Sequence, residues 1–297
     1  MALQITQDVD ARYSAYNSAG RDVHNHYHTA AYESVSASQQ LTPALSFYAP
    51  NILSSHFTGR GKELDHIGNG LDIVYGSAPT RYGISGVAGL GKTQLALQYA
   101  TLSYNRQRYS VIFWISGATV EKLNQGFAKI LTLVGHPDRD HPEQSTRLVS
   151  ARQWLEESGS LKWLLILDNI SQEAVDFLRE HLPRKNSSGN ILLTARAVLL
   201  AEAVVGQREQ ILDLRAPDTG DAANQFLAEA GIDTSLSIHS STSRAEDLVK
   251  CVGCFPLAIS QVASFAKQSS KTLDELLALY QGKHKYEVSC NPESVIF

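Results

Sequence analysis

The sequence predicts an α/β fold, with a parallel five-stranded sheet flanked by helices and followed by a small helical subdomain. Between residues 81 and 214, short apolar runs alternate with longer segments of helical periodicity. The run at 161–168 is too continuously apolar to leave one face in water, which is typical of a parallel sheet covered on both sides. After Pro217 no strand-like run remains, so the sequence predicts that only helices follow the sheet.

Five strands and the helices between them can be placed along the chain. We predict strands at 81–87, 111–116, 161–168, 190–194 and 209–214, and helices at 62–73, 93–100, 120–134 and 143–158. Near the end of the chain, Thr272 and Glu275 form a capping box. The helix that it opens carries four apolar side chains on one face: Leu273, Leu276, Leu277 and Tyr280.

Composition divides the chain into three parts. Residues 1–56 hold two arginines, no lysine and few large aliphatic side chains, which predicts a low-complexity, flexible arm. We assign residues 57–215 to the sheet domain and residues 216–297 to the helical subdomain. A net charge of −4 gives no drive toward nucleic acid, and no apolar run is long enough to predict a membrane span. Three cysteines in 297 residues make no disulfide framework, so we expect a cytoplasmic protein.

The most specific motif lies between the first predicted strand and the helix after it. Gly86, Val87, Ala88, Gly89, Leu90, Gly91, Lys92 and Thr93 match G-x-x-x-x-G-K-[ST], the phosphate-binding P-loop. Its glycines let successive backbone N–H groups face one anion at a helix N-terminus. Lys92 is expected to reach the β- and γ-phosphates, and the Thr93 hydroxyl to ligate Mg²⁺. The sequence therefore predicts binding of a nucleoside triphosphate or diphosphate.

An acidic residue ends the third predicted strand. Asp168 stands where a carboxylate can hold the Mg²⁺ shell beside the β- and γ-phosphates, the pattern of a Walker B acid. The next residue, Asn169, cannot accept a proton, so we expect at most slow hydrolysis. Glu173 is an alternative for polarising water, but it lies in the following helix.

An arginine ends the fourth predicted strand. Arg196 can reach the γ-phosphate from there and act as a sensor of its presence. The alternative is a surface arginine at a strand end, and its position one strand after Asp168 favours the sensor. We therefore assign both Asp168 and Arg196 to the catalytic part of the site.

Five motifs in series resemble the NB-ARC domain of STAND-class P-loop NTPases, the nucleotide switches of NOD-like receptors. They are Phe57-Thr58-Gly59-Arg60, the P-loop, 163–169, 189–196 and Gly253-Cys254-Phe255-Pro256-Leu257-Ala258. The resemblance covers the chain from Phe57 onward, and the Leu-Asp-Asn ending of the third strand is most similar to fungal members.

The resemblance implies roles for residues outside the P-loop. The backbone of Phe57 and Thr58 would line the adenine site, Arg60 would help to close it, and Pro256 would press on the base from a helical ARC1-like subdomain. The full implied cofactor-binding set adds Gly59, Gln94 and Leu257 to these residues and to the P-loop. The cofactors implied are ATP or ADP with Mg²⁺.

Two departures from the family pattern have consequences. Ala195 stands where a second threonine is common, and we expect it to weaken the polar contacts of the sensor strand. We also expect that the winged-helix subdomain and the sensor repeats are absent, because His284 lies too early to be the histidine that contacts the β-phosphate.

The resemblance implies an ATP/ADP-binding switch of the innate-immunity or heterokaryon-incompatibility type, whose nucleotide state controls subdomain arrangement and oligomerisation. The expected partners are the nucleotide and either a second copy of the chain or a downstream effector protein. Two alternatives remain open at this point. One is an active Mg²⁺-dependent ATPase that drives assembly, and the other is a self-templating signalling motif in the N-terminal arm, where residues 21–28 could pair as a strand.

Two groups of side chains, one of cysteines and one of histidines, have residue types that bind metals, but the sequence favours other roles for them. Cys251 and Cys254 form C-x-x-C but have no second pair nearby, so we expect buried structural cysteines. His24, His26 and His28 would share one face of a strand, but no fourth ligand is evident, so we expect solvated histidines.

Overall fold

One parallel sheet organises the computed structural model of the chain, which describes residues 46–47, 49, 53–74, 76–232, 238–269 and 271–290. Side chains are described at these positions except 46–47, 238–240 and 283–290. The strands are β1 (Ser46–Phe47), β2 (Thr80–Ser85), β3 (Val111–Ser116), β4 (Trp163–Ile170), β5 (Gly189–Ala195) and β6 (Ile211–Asp213). Their order across the sheet is β1-β3-β4-β5-β2-β6, and every neighbouring pair is parallel.

The five predicted strands are all present, and the parallel flanked sheet is confirmed. A sixth strand, β1, was not predicted, because two residues carry no periodic pattern. It lies within residues 1–56, so the sheet begins inside the segment that composition assigned to an arm. Residues 1–45, which include His24, His26, His28 and the proposed pairing segment 21–28, lie outside the described residues.

Ten α-helices accompany the strands in the described part of the chain. They are α1 (Gly61–Asp72), α2 (Lys92–Asn105), α3 (Val120–Leu133), α4 (Gln144–Glu157), α5 (Ala174–His181), α6 (Val198–Val205), α7 (Thr219–Ala230), α8 (Ile238–Cys251), α9 (Pro256–Ser269) and α10 (Leu273–Cys290). All the described residues belong to one compact unit, Ser34–Phe297. None of these helices is long and apolar enough to cross a membrane.

Both faces of the sheet are covered, as the apolar run of β4 predicts. Leu165 and Leu167 point into a core shared with α3, α4, α5 and α6, whereas Leu164 and Ile166 point into a core shared with α1 and α2. All four side chains are fully buried. This two-layer covering leaves the carboxyl-terminal edge of the sheet as the place where polar side chains can gather.

Helices α7 to α10 build a separate hydrophobic core around Phe226, Leu248, Ile259 and Leu276. The capping box that opens α10 is present: the Thr272 N–H donates to Glu275 Oε2 at 2.8 Å, and the Glu275 N–H donates to Thr272 Oγ1 at 3.3 Å. The predicted apolar face of this helix packs against the same core. The side chain of His284 lies outside the described residues.

Candidate functional site

The P-loop joins β2 to α2 and curls through glycines. Gly89 and Gly91 have φ angles of 84° and 85°, in the left-handed region where a side chain is disfavoured. Gly91 is the N-cap residue of α2, so the loop ends where the first N–H groups of the helix point outward. This geometry presents the helix N-terminus and the loop backbone to one space.

Lys92 lies over its own loop. Its ammonium donates to the carbonyl oxygens of Gly86 at 2.6 Å and Val87 at 2.9 Å. An ammonium has three hydrogens, so one is left to donate to a phosphate oxygen. Burial lowers the pKa of Lys92, the charge of Arg196 lowers it further, and Asp168 opposes the shift. Lys92, Arg196 and Asp168 therefore act on one another in the same pocket.

Asp168 is held by two threonines. Thr93 Oγ1 donates to Asp168 Oδ1 at 2.8 Å, and Thr194 Oγ1 donates to the same oxygen at 2.7 Å. The backbone N–H of Asn169 donates to Thr194 Oγ1 at 2.7 Å. The hydroxyl of Thr194 thus bridges the ends of β4 and β5 and fixes the carboxylate beside the P-loop threonine.

Thr194 is a site residue that sequence reasoning named only as part of a strand. The alternation of side chains along a strand could have identified Thr194, because it places Thr194 on the opposite face of β5 from Ala195. Ala195 is fully buried in the core shared with α5 and α6. The expectation that Ala195 weakens the polar contacts of the sensor strand is therefore wrong, because a side chain at this position points away from the site.

Asn169 lies on an irregularity of β4. The pairing register with β5 shifts between Leu167 and Ile170, and Asn169 has a φ of 59°. Asparagine and aspartate both tolerate this left-handed conformation better than other residues with side chains. The bulge turns the Asn169 side chain into the cavity beside Asp168, whereas Glu173 is exposed at the start of α5 and does not line the cavity.

The segment before α1 is tied to the P-loop helix. The Ser54 N–H donates to Gln94 Oε1 at 2.8 Å, and the Phe57 N–H donates to the Ser54 carbonyl at 3.1 Å. Phe57 packs at the edge of the core that contains α1 and α2. These contacts hold Phe57 and Thr58 at the mouth of the pocket.

Arg60 is a clamp between three segments. It is buried and has a φ of 63°. Its guanidinium donates to Glu63 Oε1 at 2.8 Å, to the Arg215 carbonyl at 2.8 Å and to the Leu90 carbonyl at 3.4 Å. The side chain therefore joins the start of α1 to the P-loop and to the segment that follows β6, which is a more structural position than the resemblance implied.

The start of α9 rests directly on the P-loop. The Leu257 N–H donates to the Gly89 carbonyl at 3.2 Å. Pro256 is the first residue of α9, where its fixed φ and missing N–H are compatible with a helix start. Gln225 on α7 donates to the Pro256 carbonyl at 3.4 Å. The helical subdomain thus reaches the phosphate-binding loop through one turn of backbone.

A cavity of about 610 Å³ collects most of the predicted residues. Those that line it are Phe57, Thr58, Arg60, Ala88, Gly89, Leu90, Gly91, Lys92, Thr93, Gln94, Asp168, Arg196, Pro256 and Leu257. Gly59 does not line it, and Gly86 and Val87 line a neighbouring groove with Phe255. Sequence reasoning missed the polar residues that α7 contributes, Asp221, Gln225 and Glu229, because no motif marks them.

The cysteine pair lies at the junction between α8 and α9. Cys251 and Cys254 form no disulfide, and both are half-buried rather than fully buried as expected. Burial, with a contribution from Asp247, raises the pKa of the Cys251 thiol, which disfavours a reactive thiolate. Among the described residues no group of three or more His, Cys, Asp or Glu side chains could hold a metal ion.

Comparison with known proteins places the chain in a family. The family model described as "NB-ARC domain" matches residues 63–231. A relative from Hyaloscypha variabilis, described as a "Nucleotide-binding leucine-rich repeat (NLR)-like protein", is 25% identical over 250 residues, which are 79% of this chain and 24% of the relative. The chain therefore spans about a quarter of the length of that relative.

Solved structures that resemble the chain are more distant. A signal transduction ATPase with a tetratricopeptide repeat sensor from Pyrococcus horikoshii has a TM-score of 0.47 at 18% identity, covering 76% of this chain and 33% of its own. Cdc6p from Pyrobaculum aerophilum has a TM-score of 0.46 at 14% identity, covering 75% and 66%. Because the NB-ARC match covers more than half of the 297 residues, the chain belongs to the NB-ARC domain family.

Proposed function

We propose that this chain is the ATP/ADP-binding switch module of a NOD-like receptor signalling protein of the innate-immunity or heterokaryon-incompatibility type. The nucleotide state biases how the helical subdomain lies against the sheet, and this arrangement controls self-association or access to an effector. Family membership and the NLR-like relative support the class of protein. The signalling role and the partners are our inference, since the chain covers 24% of that relative.

The contact between α9 and the P-loop is the observation that carries the proposal. Leu257 donates its N–H to the Gly89 carbonyl, and the cavity is lined by residues of both subdomains. A nucleotide in this cavity would touch the loop and the first turn of α9 together. A ligand shifts a conformational equilibrium only through such differential contacts, and here the γ-phosphate with Arg196 supplies the difference between ATP and ADP.

The oxygen atoms that Thr93 on α2 and Asp168 on β4 bring together fit a magnesium ion. Mg²⁺ prefers oxygen ligands such as hydroxyls and carboxylates. Thr93 supplies the hydroxyl and Asp168 the carboxylate, and their oxygen atoms Oγ1 and Oδ1 lie 2.8 Å apart. Mg²⁺ bound there would neutralise charge on the β- and γ-phosphates. Thr194 holds the Asp168 carboxylate in place, while Asn169 cannot take a proton from an attacking water. The residues therefore suit retention of a nucleotide better than rapid turnover.

Two measurements on the purified chain test this function. The nucleotide retained after purification is identified by mass spectrometry, and we expect up to one ADP or ATP per chain. Turnover with Mg²⁺ is then followed, and we expect no more than about one per minute, against a typical enzyme scale of about 10 per second.

The switch itself is read by hydrogen exchange on the chain loaded with ADP or with a non-hydrolysable ATP analogue. Amide protection at the start of α9 should differ between the two states, because the Leu257 N–H reports the contact with Gly89. Sustained turnover on the typical enzyme scale would favour the working ATPase instead. Identical protection in both states would refute the switch.

A further inference from the structure

Helix α7 forms a two-faced wall of the cavity. One face is buried in the helical core through Ala222, Ala223, Phe226 and Leu227. The other face brings Asp221, Gln225 and Glu229 to the cavity at intervals of four residues. Because its apolar face is packed, α7 presents these polar groups from a fixed element.

This wall lies between the two segments that the family resemblance assigns to the nucleoside. At one end a methyl group on Gly59 would overlap the carboxylate of Asp221, so this carboxylate is packed against the backbone of Gly59. In the middle, Gln225 Nε2 donates to the Pro256 carbonyl at 3.4 Å and to Glu229 Oε1 at 2.9 Å. Glu229 is therefore oriented by Gln225 and lies two hydrogen bonds from Pro256.

The charges of the cavity limit what Glu229 can face. Phosphates belong at the end where Lys92 and Arg196 lie, and a carboxylate would repel them. A carboxylate only accepts hydrogen bonds, so its ligand must offer uncharged or positive donors. The ribose offers two hydroxyl donors and is bonded directly to the base, which puts it within reach of a group near Pro256. An acidic side chain on a ribose hydroxyl is also a recurrent arrangement in nucleotide sites.

We propose that Glu229 accepts a hydrogen bond from the ribose 2′-hydroxyl and makes the site selective for ribonucleotides over 2′-deoxyribonucleotides. This inference rests on the proposed nucleotide binding. Gln225 is the positioning residue, because its amide fixes the Glu229 carboxylate. Asp221 carries the same charge on the same helix face, but its carboxylate is engaged against Gly59.

Ligand substitution combined with mutation tests the assignment. The dissociation constants of ATP and 2′-deoxy-ATP are measured by titration calorimetry for the unmodified chain, Glu229→Ala and the matched control Asp221→Asn. Alanine preserves the helix, since it has the highest helix propensity. We expect the unmodified chain to prefer ATP by about 10–100-fold, the range of a hydrogen bond to a charged group. Glu229→Ala should reduce the preference to within about twofold, whereas Asp221→Asn should change both affinities by the same factor.

Pyrophosphate binding separates the possible failures. If Glu229→Ala still binds pyrophosphate as the unmodified chain does, the fold and the phosphate end are intact, and a lost preference supports the ribose contact. An unmodified chain that binds ATP and 2′-deoxy-ATP equally would overturn this inference alone. A preference that survives Glu229→Ala, or that disappears in Asp221→Asn, would also overturn it. A chain that binds neither nucleotide would overturn the proposed function itself.

Discussion

The two ends of the cavity are built in different ways. The phosphate end consists of strand ends and one loop, where Asp168 accepts hydrogen bonds from Thr93 and Thr194 over distances of 2.8 and 2.7 Å. The nucleoside end consists of segments far apart in sequence, and the hydrogen bond there from Gln225 on α7 to the Pro256 carbonyl on α9 is longer, at 3.4 Å. One end is fixed by the sheet, and the other depends on how the helical subdomain packs.

Under the proposed function, this difference divides the binding free energy between affinity for the phosphates and preference for one arrangement of the subdomains. The phosphate end then keeps most of its contacts when the helical subdomain moves, because Asp168 lies on the sheet and Lys92 begins α2. The nucleoside end is complete only when α7 and α9 lie where they do here. Substitutions at the phosphate end should therefore weaken every phosphate ligand, whereas substitutions at the nucleoside end should act on the base and ribose alone.

The largest effect on affinity is expected for Lys92→Ala. Loss of a charge-assisted hydrogen bond of about 1.5–3 kcal/mol should weaken ATP, ADP and pyrophosphate by about 10–100-fold. Titration calorimetry measures this, with Lys62→Ala on the exposed side of α1 as the control that leaves affinity unchanged. If ATP and pyrophosphate bound to Lys92→Ala with the affinity of the unmodified chain, the P-loop assignment would be refuted.

The next effect concerns turnover. Asn169→Asp introduces a carboxylate at a position where the left-handed backbone tolerates aspartate, so we expect the rate to rise about 100-fold, at the low end of general-base effects. A phosphate-release assay with Mg²⁺ measures it. Glu173→Gln is the control, since Glu173 does not line the cavity. A rate that falls in Glu173→Gln would instead identify that residue as the water-polarising group.

The phosphate end of the cavity could be predicted from the sequence better than the nucleoside end. The P-loop, Asp168 and Arg196 are marked by local patterns at strand ends, and the alternation of strands and helices predicted the sheet. Strand β1 could not be found because two residues have no period. Asp221, Gln225 and Glu229 could not be found because their place in the cavity depends on the packing of α7 against other helices.

The family resemblance predicted the position of both Pro256 and Arg60, but it did not predict what each side chain contacts. Pro256 lies on the cavity wall, where its contact with Gln225 ties α9 to α7. Arg60 lines the cavity, yet its guanidinium is engaged with Glu63 and two backbone carbonyls. A motif identifies a position, but the neighbours brought by folding decide which atoms are left to bind a ligand.

A smaller effect is expected for Thr194→Val. Valine has a similar shape but no hydroxyl, so the Asp168 carboxylate loses one of its two hydrogen bonds. Because Thr194 acts on the ligand through Asp168, we expect only about 1 kcal/mol of this loss, or roughly fivefold, to appear in affinity. We expect this loss in nucleotide affinity with Mg²⁺ and none in the presence of a chelator, as measured by calorimetry under both conditions. Thr80→Val is the matched control, because Thr80 is also buried on a strand and bonds the Ile73 carbonyl at the opposite end of β2. An equal loss with and without Mg²⁺ would mean that Thr194 serves only the fold.

The smallest effect is expected for Pro256→Ala. At a nucleotide concentration about 100 times the dissociation constant, binding to the folded chain alone stabilises it by roughly 2.7 kcal/mol. Loss of the apolar contact between Pro256 and the base should weaken ATP about threefold, which reduces this stabilisation by about 0.6 kcal/mol at the same concentration. The thermal shift produced by ATP should then fall by about 1–3 °C in differential scanning fluorimetry.

The thermal shift produced by pyrophosphate shows whether Pro256→Ala acts on the base alone or on the whole site. Its thermal shift should be the same in Pro256→Ala and in the unmodified chain, because the phosphate end belongs to the sheet. Pro137→Ala is the matched control: Pro137 also begins a helical turn but does not line the cavity, so neither shift should change. If Pro256→Ala lost the ATP and pyrophosphate shifts equally, Pro256 would act on the fold of the whole site. The two ends of the cavity would then be one cooperative unit rather than two independently built halves.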